Sequence, residues 1–396
     1  MKILMISSYL PFPLFDGGTI RLFNLIKQLS NKHEITLVCE VRPHQTTKDI
    51  KELEKITEKV ITIPRKKQWS VENILKAGIS NESFLIVGHT LPLMKDAIIK
   101  ELGAKNYDII HVETSYVMQN LPQTTLPVVL VEHNIEYEVY TKFMNKAPFF
   151  LRPLLQFDIE KLKKREISFW KKATQVVTVT ESEQSVVIKS GVKAKAVYNG
   201  VDLSSFPFKN LSTAFQTEVK QFLFIGNYKW LQNRDSVRWI LQEIWPKIKE
   251  KAGEKVTLRI VGRDMPNDIK NWQDPSVIVE ENSKRPTQEI FSESFALLAP
   301  IRVGGGSQYK ILESMAVGTP VITTKLGLSG LDVERDTDLL VADDSSSLAE
   351  KAIELLHNEK NYNNLAVSGR KQIEEKYDWS KIAKTLDGIY HDVAKL

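Results

Sequence analysis

An α/β protein built from two doubly wound parallel halves is the fold class this sequence predicts, and three observations predict it. Short apolar runs of strand length alternate with amphipathic helical stretches, beginning as strand, loop, helix, strand. The alternation pauses at a polar stretch, residues 203–218, and resumes in the same form at Gln221. At 396 residues the chain also exceeds what one ordinary core organises.

The N-terminal half opens with the apolar run Ile3–Ile6, then Pro11, Pro13 and the turn Asp16-Gly17-Gly18. A helix follows, with Ile20, Phe23, Leu25, Ile26 and Leu29 near helical period, and Ile35–Cys39 reads as the next strand. Gly17 and Gly18 either make a tight turn or let a ligand approach the backbone closely. Val60–Ile63 is a further strand. Asp108–Glu113 and Val128–Asn134 are two more, each ending in polar residues. In open α/β sheets ligands gather at the carboxyl ends of strands, which draws attention to His111, His133, Asn134 and Glu136. A histidine at a strand end is equally at home as a structural residue. Gln175–Thr180 is a strand, Glu181 starts a helix, and Ala196–Asp202 closes the half as strand and turn.

In the second half, strands are expected at Gln221–Ile225, Val256–Gly262, Val277–Glu280, Phe295–Pro300, Val321–Thr323 and Leu339–Val341. Helices are expected at Ser236–Ile248, Thr287–Ser294, Gln308–Ala316, Ser347–Leu356 and Trp379–Lys395. The last has Ile382, Ala383, Leu386, Ile389, Tyr390 and Val393 along one face and is long enough to cross back to the first half. The domains are thus 1–205, 206–376 and a C-terminal helical tail, 377–396.

Most of the chemistry concentrates in residues 301–322. An apolar strand runs into Gly304-Gly305-Gly306-Ser307, and a helix follows. This arrangement gathers backbone N–H groups and a positive helix end, as a diphosphate requires. Lys310 and Glu313 are three apart and share a helix face, so one can meet phosphate and the other sugar hydroxyls. A plain strand-turn-helix unit explains the glycines equally well.

Composition narrows the partners. Residues 1–205 carry 28 Lys and Arg against 22 Asp and Glu, and the remainder 26 against 27, so the net +5 belongs to the first half. Segment 146–172 alone holds eight basic and three acidic residues beside Phe149, Phe150, Leu151, Leu154, Leu155 and Phe157. That mixture fits an anionic membrane surface, or a helix with one buried and one solvated face. Basic residues are not interleaved with stacking aromatics, which argues against nucleic acid. The single cysteine, Cys39, forms no internal disulfide and fits a reducing compartment. The N-terminus reads as a first strand rather than a signal peptide. The seven histidines are scattered and suggest no metal site.

Taken together, the motifs resemble the retaining, nucleotide-sugar-dependent glycosyltransferases of the GT-B fold (glycosyl transferases group 1), in particular a Gly-Gly-Gly subset. Lys310-Ile-Leu-Glu313-Ser-Met-Ala316-x-Gly318-x-Pro320-Val321 is similar to that family's donor signature. Gly17-Gly18, His133-Asn134, Asn199-Gly200-Val201-Asp202 and Tyr377-Asp-Trp379-Ser380 match weaker landmarks in order. The resemblance implies two Rossmann-like domains facing across a cleft, with the nucleotide on the C-terminal one. It implies that Gly17, Gly18, Gly304, Gly305, Gly306, Ser307, Lys310 and Glu313 bind the donor, a UDP-sugar in expectation. By the same resemblance His133, Arg302 and Lys310 are catalytic, while His111, Asn134 and Glu136 lie on the acceptor side. No cofactor or metal is expected. The acceptor is a glycan, a lipid-linked molecule or another small hydroxyl compound, in bacterial cell-surface polysaccharide or glycoconjugate synthesis. The expected location is cytoplasmic, at the inner face of the plasma membrane.

Two departures stand out. Gly305 occupies a position where many members carry a second glutamate, and Asn227 one where many carry arginine, with Lys229 and Arg234 out of step. Arg302 and Lys310 are candidates for the displaced charge. A nucleotide-sugar epimerase of this fold and a non-catalytic nucleotide-sugar-binding subunit are the competing readings.

Overall fold

The structure is a computed structural model and describes all residues except Lys66, Lys146, Gly305–Ser307 and Leu396. It divides into two compact units: Met1–Tyr198 with Ile382–Leu396, and Asn199–Lys381.

The first unit is a seven-stranded parallel sheet. Its strands are β1 (Lys2–Ser7), β2 (Glu34–Val41), β3 (Lys59–Pro64), β4 (Ile109–Glu113), β5 (Val128–Glu132), β6 (Gln175–Thr178) and β7 (Ala194–Ala196), in spatial order β3-β2-β1-β4-β5-β6-β7. Helices cover both faces, which is why β4 (Ile-Ile-His-Val-Glu) and β5 (Val-Val-Leu-Val-Glu) are buried throughout. The order reverses between β1 and β4, so the crevice beyond their carboxyl ends opens beside Ser7 and Glu113.

The second unit is a six-stranded parallel sheet. Its strands are β8 (Lys220–Asn227), β9 (Val256–Arg263), β10 (Val277–Glu281), β11 (Ala296–Ala299), β12 (Val321–Thr323) and β13 (Leu340–Val341), in the order β10-β9-β8-β11-β12-β13. Its switch point lies between β8 and β11, which places Gly226-Asn227 and the stretch from Pro300 onward at one edge of the sheet. Aromatic packing anchors this core. The Phe295 and Tyr362 rings stack with centroids 4.8 Å apart, and the Trp245 and Phe222 rings meet edge-on at 6.0 Å.

Three expectations need correction. The helix placed at Ser236–Ile248 begins at Leu231, widens over Ile240–Ile244, and continues as Trp245–Ala252. The wide turn precedes Pro246, whose missing N–H cannot join a regular helical ladder. Residues 203–218 are not a bare linker: they belong to the second unit and contain the short helix Leu211–Gln216, capped by Asn210. The strand and turn expected over Ala196–Asp202 are shifted: the strand, β7, ends at Ala196. Val201 pairs instead with residue 378, donating to Tyr377 O at 2.7 Å and accepting from Trp379 N at 3.2 Å. A Cβ on Gly200 would lie 2.8 Å from Tyr377 O, so this approach demands glycine. Two of the weaker landmark motifs are therefore each other's structural partners. A further helix, the polar Glu359–Gln372, has no counterpart among the expected elements.

Lys209 carries a testable consequence of this packing. It is buried, and its Nζ donates to Ser294 O at 2.7 Å and Thr319 Oγ1 at 2.9 Å. Burial brings its ammonium down to about 7 from the ordinary 10.5. Between those values the unfolded chain keeps a proton that the folded chain has released, so this residue's contribution to stability rises with pH through that window. Lys209→Met is expected to remove the rise. The Tm difference, wild type minus variant, should grow steadily from pH 7 to pH 10. A constant difference would show that Lys209 keeps its charge when folded.

Candidate functional site

Two clusters lie at the two switch points, one in each unit. In the second unit, a turn and two helices converge. Gly226 and Gly262 sit opposite each other on β8 and β9, and a Cβ on Gly262 would lie 1.9 Å from Gly226 O. A Cβ on Gly226 would lie 2.8 Å from the Asn233 amide carbon. These glycines let the helix Leu231–Trp239 start hard against the sheet. Asn233 then donates through Nδ2 to Asn227 O at 2.8 Å and accepts from Lys310 Nζ at 2.5 Å.

Lys310 and Glu313 lie on the helix Tyr309–Val317, which ends at Gly318 in the left-handed conformation (φ 82°). The Lys310 ammonium sits 4.5 Å over the Phe224 ring. Burial lowers it to about 7, offset in part by the Glu313 charge. Burial likewise pushes the half-buried Glu313 carboxyl up to about 8, with Lys310 opposing. Among the described residues Glu313 makes no hydrogen bond or ion pair. The arrangement leaves a lysine whose charge an anion would restore and a carboxyl ready to accept from hydroxyls.

The glycine turn is only partly described. Gly304 has φ 109° and packs against Gln232, where an added Cβ would meet the Gln232 Cβ at 3.3 Å. Gly305, Gly306 and Ser307, expected to bind the donor, lie outside the described residues. Arg302 does not join Lys310. It makes a two-point pair with Asp235 (Nε to Oδ2 2.8 Å, Nη2 to Oδ1 3.3 Å) and stacks on Trp239 at 4.7 Å. To meet a diphosphate it would have to leave both. Lys229 is exposed and pairs with Asp264 at 3.6 Å. The cation that sequence reasoning undervalued is Arg234. It is half-buried on the helix Leu231–Trp239, its Nε is enclosed without a hydrogen-bond partner, and among the described residues no carboxylate pairs with it.

The first unit gathers a network around Glu113. His111 and Glu113 are two apart on β4, so they point to the same side of the sheet. An ionised carboxylate only accepts, so both imidazoles donate through Nε2: His111 to Oε2 at 2.6 Å and His133 to Oε1 at 2.5 Å. Tyr390 closes the far end, donating to His111 Nδ1 at 2.6 Å. Arg21 lies 4.0 Å away and donates to Tyr198 O at 2.8 Å. Burial alone would raise the Glu113 carboxyl. The electrostatic pull of His133 and the hydrogen bonds that His111 and His133 donate hold it well below the usual carboxylate range.

Only His133 of this network reaches the surface, its side chain 18 % exposed and its ring edge-on to Tyr9. His111 is fully enclosed with both nitrogens engaged, so its place is behind Glu113 and not against an acceptor. Glu136 is buried too. Its carboxyl, raised by burial, is approached by Asn134 Nδ2 at 3.5 Å. Behind it, Glu166 accepts from the Glu136 and Tyr137 N–H groups, and burial raises it strongly. Gly17 and Gly18 open the helix Gly17–Leu29, whose cap Asp16 accepts from Thr19 N at 2.9 Å. The Tyr9 hydroxyl donates to Gly18 O at 3.3 Å, which joins the glycine turn to the His133 surface.

Comparison with known proteins bears on both clusters. The family profile described as glycosyl transferases group 1 matches residues 219–358, and that of glycosyltransferase family 4 matches residues 15–205. An uncharacterised 44.6 kDa protein in the cps region of Klebsiella pneumoniae is 22 % identical, over 97 % of this chain and 98 % of its own. The capsular polysaccharide biosynthesis glycosyltransferase CapM of Staphylococcus aureus is 23 % identical, over 56 % of this chain and 63 % of its own. Among solved structures, Anabaena Alr3699/HepE in complex with UDP-glucose superimposes with a TM-score of 0.65 at 14 % identity, covering 99 % and 100 % of the two chains.

Proposed function

We propose a reaction for this chain from the premise that it belongs to the group 1 glycosyltransferases and has their GT-B fold of two Rossmann-like units. The reaction is transfer of a hexose-type sugar from a nucleoside diphosphate, in our reading UDP, to an acceptor hydroxyl with retention of anomeric configuration. The observation that carries it is the placement of Lys310, held by Asn233 and the Phe224 ring, one turn from a Glu313 carboxyl without a hydrogen-bond partner among the described residues, on one helix at the switch point. A diphosphate at this helix would restore the Lys310 charge, and ribose hydroxyls would donate to Glu313. A neighbour solved with UDP-glucose supports the donor class, and the capsular relative supports a role in cell-surface polysaccharide synthesis.

In this mechanism the bond between the anomeric carbon and the diphosphate oxygen breaks, and charge collects on the leaving group. Lys310, Arg234 and backbone N–H groups of the glycine turn stabilise that charge, with no metal required. The acceptor oxygen bonds to the anomeric carbon on the face the diphosphate leaves. Its proton passes to a leaving-group oxygen. Gly305 offers no side chain for a covalent sugar intermediate, which favours this same-face route over double displacement. His133, fixed by Glu113, supplies the acceptor-side contact with Asn134 beside it. The enzyme works in the cytoplasm, on an acceptor held at the inner membrane face, which segment 146–172 contacts.

A thermal-shift panel of UDP, GDP, ADP, TDP and their sugar conjugates tests the reading. One nucleotide family is expected to stabilise the protein, by about 2.7 kcal/mol at 100 times its Kd. NMR of the product should show the donor's anomeric configuration. Stabilisation by none of them, or an inverted product, overturns it.

A further inference from the structure

One face of the first unit displays apolar side chains that an ordinary helix would bury. On the helix Val71–Ile79 only Ala77 is buried, while Val71, Leu75 and Ile79 are 74, 61 and 88 % exposed. Trp69, just ahead of it, is 79 % exposed. Phe149, Phe150, Leu154 and Phe157, at the start of the helix Arg152–Lys172, are all more than half exposed. The two elements are clamped together. Lys161 Nζ donates to Ala77 O and Ser80 O at 2.7 Å each, and Asp158 accepts at 2.8 Å from Phe84 N, which starts the next helix, Phe84–Gly88. An exposed apolar patch of this kind marks an interaction surface.

We propose that this face docks on an anionic lipid bilayer, its apolar side chains entering the boundary between headgroups and acyl chains. The inference rests on the proposed reaction only in placing the acceptor at a membrane. Charge identifies the occupant. Lys67, Lys142 and Lys164 are exposed, and among the described residues none of them pairs with a carboxylate, while Arg152 donates to Ala147 O and Asn145 O and Lys163 lies 5.2 Å over the Tyr137 ring. Unpaired cations beside exposed apolar side chains complement lipid phosphate over hydrocarbon, whereas an apolar protein groove would leave them unmatched. The structure also redistributes the roles read from segment 146–172. Lys161 is consumed in closing the end of the first helix, and Arg165 pairs with Glu82 at 3.1 Å and stacks on Phe169 at 4.8 Å. Apolar insertion therefore carries more of the binding than the lysine run suggests, and Trp69 with the helix Val71–Ile79 supplies part of it.

Sedimentation of the full chain with vesicles of phosphatidylcholine, with and without phosphatidylglycerol, tests this. Binding is expected to the anionic vesicles. It should weaken about tenfold or more for Leu75→Ser/Ile79→Ser and for Phe149→Ser/Phe150→Ser. Lys142→Gln and Lys164→Gln should each cost about fivefold and flatten the salt dependence. All six positions are exposed, so the variants should keep their fold and their stabilisation by nucleotide, which is measured in parallel. Failure of the membrane inference is thereby separated from failure of the proposed reaction. Absence of pelleting with anionic vesicles, or equal pelleting of the serine variants, overturns the proposal. So does a dimer, detected by sedimentation velocity, that the serine substitutions dissolve without any vesicle binding, because the face would then belong to a second copy.

Discussion

Glu113→Gln is expected to destabilise the protein by about 3–5 kcal/mol, the cost of breaking a buried ionic cluster by removing one partner. The change preserves shape and removes only charge. Arg21, 1 % exposed, would then be buried beside a neutral amide. The two Nε2–H groups that now donate to carboxylate oxygens would compete for one amide oxygen, with the amide's own N–H₂ pointing at donors. Urea unfolding at neutral pH measures the effect. A loss below about 1 kcal/mol would mean that the cluster is held by packing rather than by charge. Turnover should fall as well, because His133 owes its orientation to the same carboxylate. Tyr390→Phe, at the enclosed end of the network, should reproduce part of the stability loss and leave the KM for the acceptor unchanged.

Glu313→Gln should separate binding from stability in the opposite sense. A hydrogen bond between neutral groups contributes about 0.5–1.5 kcal/mol, so disturbing two ribose contacts should lower nucleotide affinity by roughly 10-fold. The unliganded variant, however, should be at least as stable as the wild type. Burial raises the folded carboxyl to about 8, against an ordinary 4.5. Below 4.5 both states hold the proton. Through the window up to about 8 the unfolded chain ionises while the folded chain resists, so this group's contribution to stability is lost as pH rises. The Tm gain of the variant should therefore grow from pH 5 to pH 8. A variant less stable than wild type across that range would mean that Glu313 is a structural partner and not a side chain held unpaired for a ligand. A costly, ligand-ready carboxyl is what a binding site exchanges for stability.

Much of this architecture is legible in the order of residues. Apolar runs such as Val128–Val131 bury on both faces wherever they fall, so their length and the helical periods between them suffice to predict two parallel sheets. The spacing of Lys310 and Glu313 likewise requires a shared helix face. The helix Glu359–Gln372 is not legible in the same way, because its polar composition hides a narrow buried stripe of Tyr362, Leu365, Ala366 and Gly369. His111 lies in the core and not on the acceptor side, and a histidine near a strand end reads alike in sequence whether it faces solvent or core. The spacing His111-x-Glu113, which puts both side chains on one face of a strand, was the overlooked signal.

By itself, then, the sequence determined the two parallel α/β units, the helix that carries Lys310 and Glu313, and the strand ends where polar chemistry gathers. These depend on local period and hydrophobicity, which neighbours in the chain decide. Only the tertiary structure decided which charges are spent and which remain available. Arg302 is taken by Asp235 and Lys161 by the end of Val71–Ile79, while Arg234 and Glu313 keep no partner among the described residues. It also joined His111 to Tyr390, 279 positions apart, and left Val71–Ile79 with its apolar face in solvent. Pairing of side chains over such separations depends on packing geometry, which no local pattern encodes.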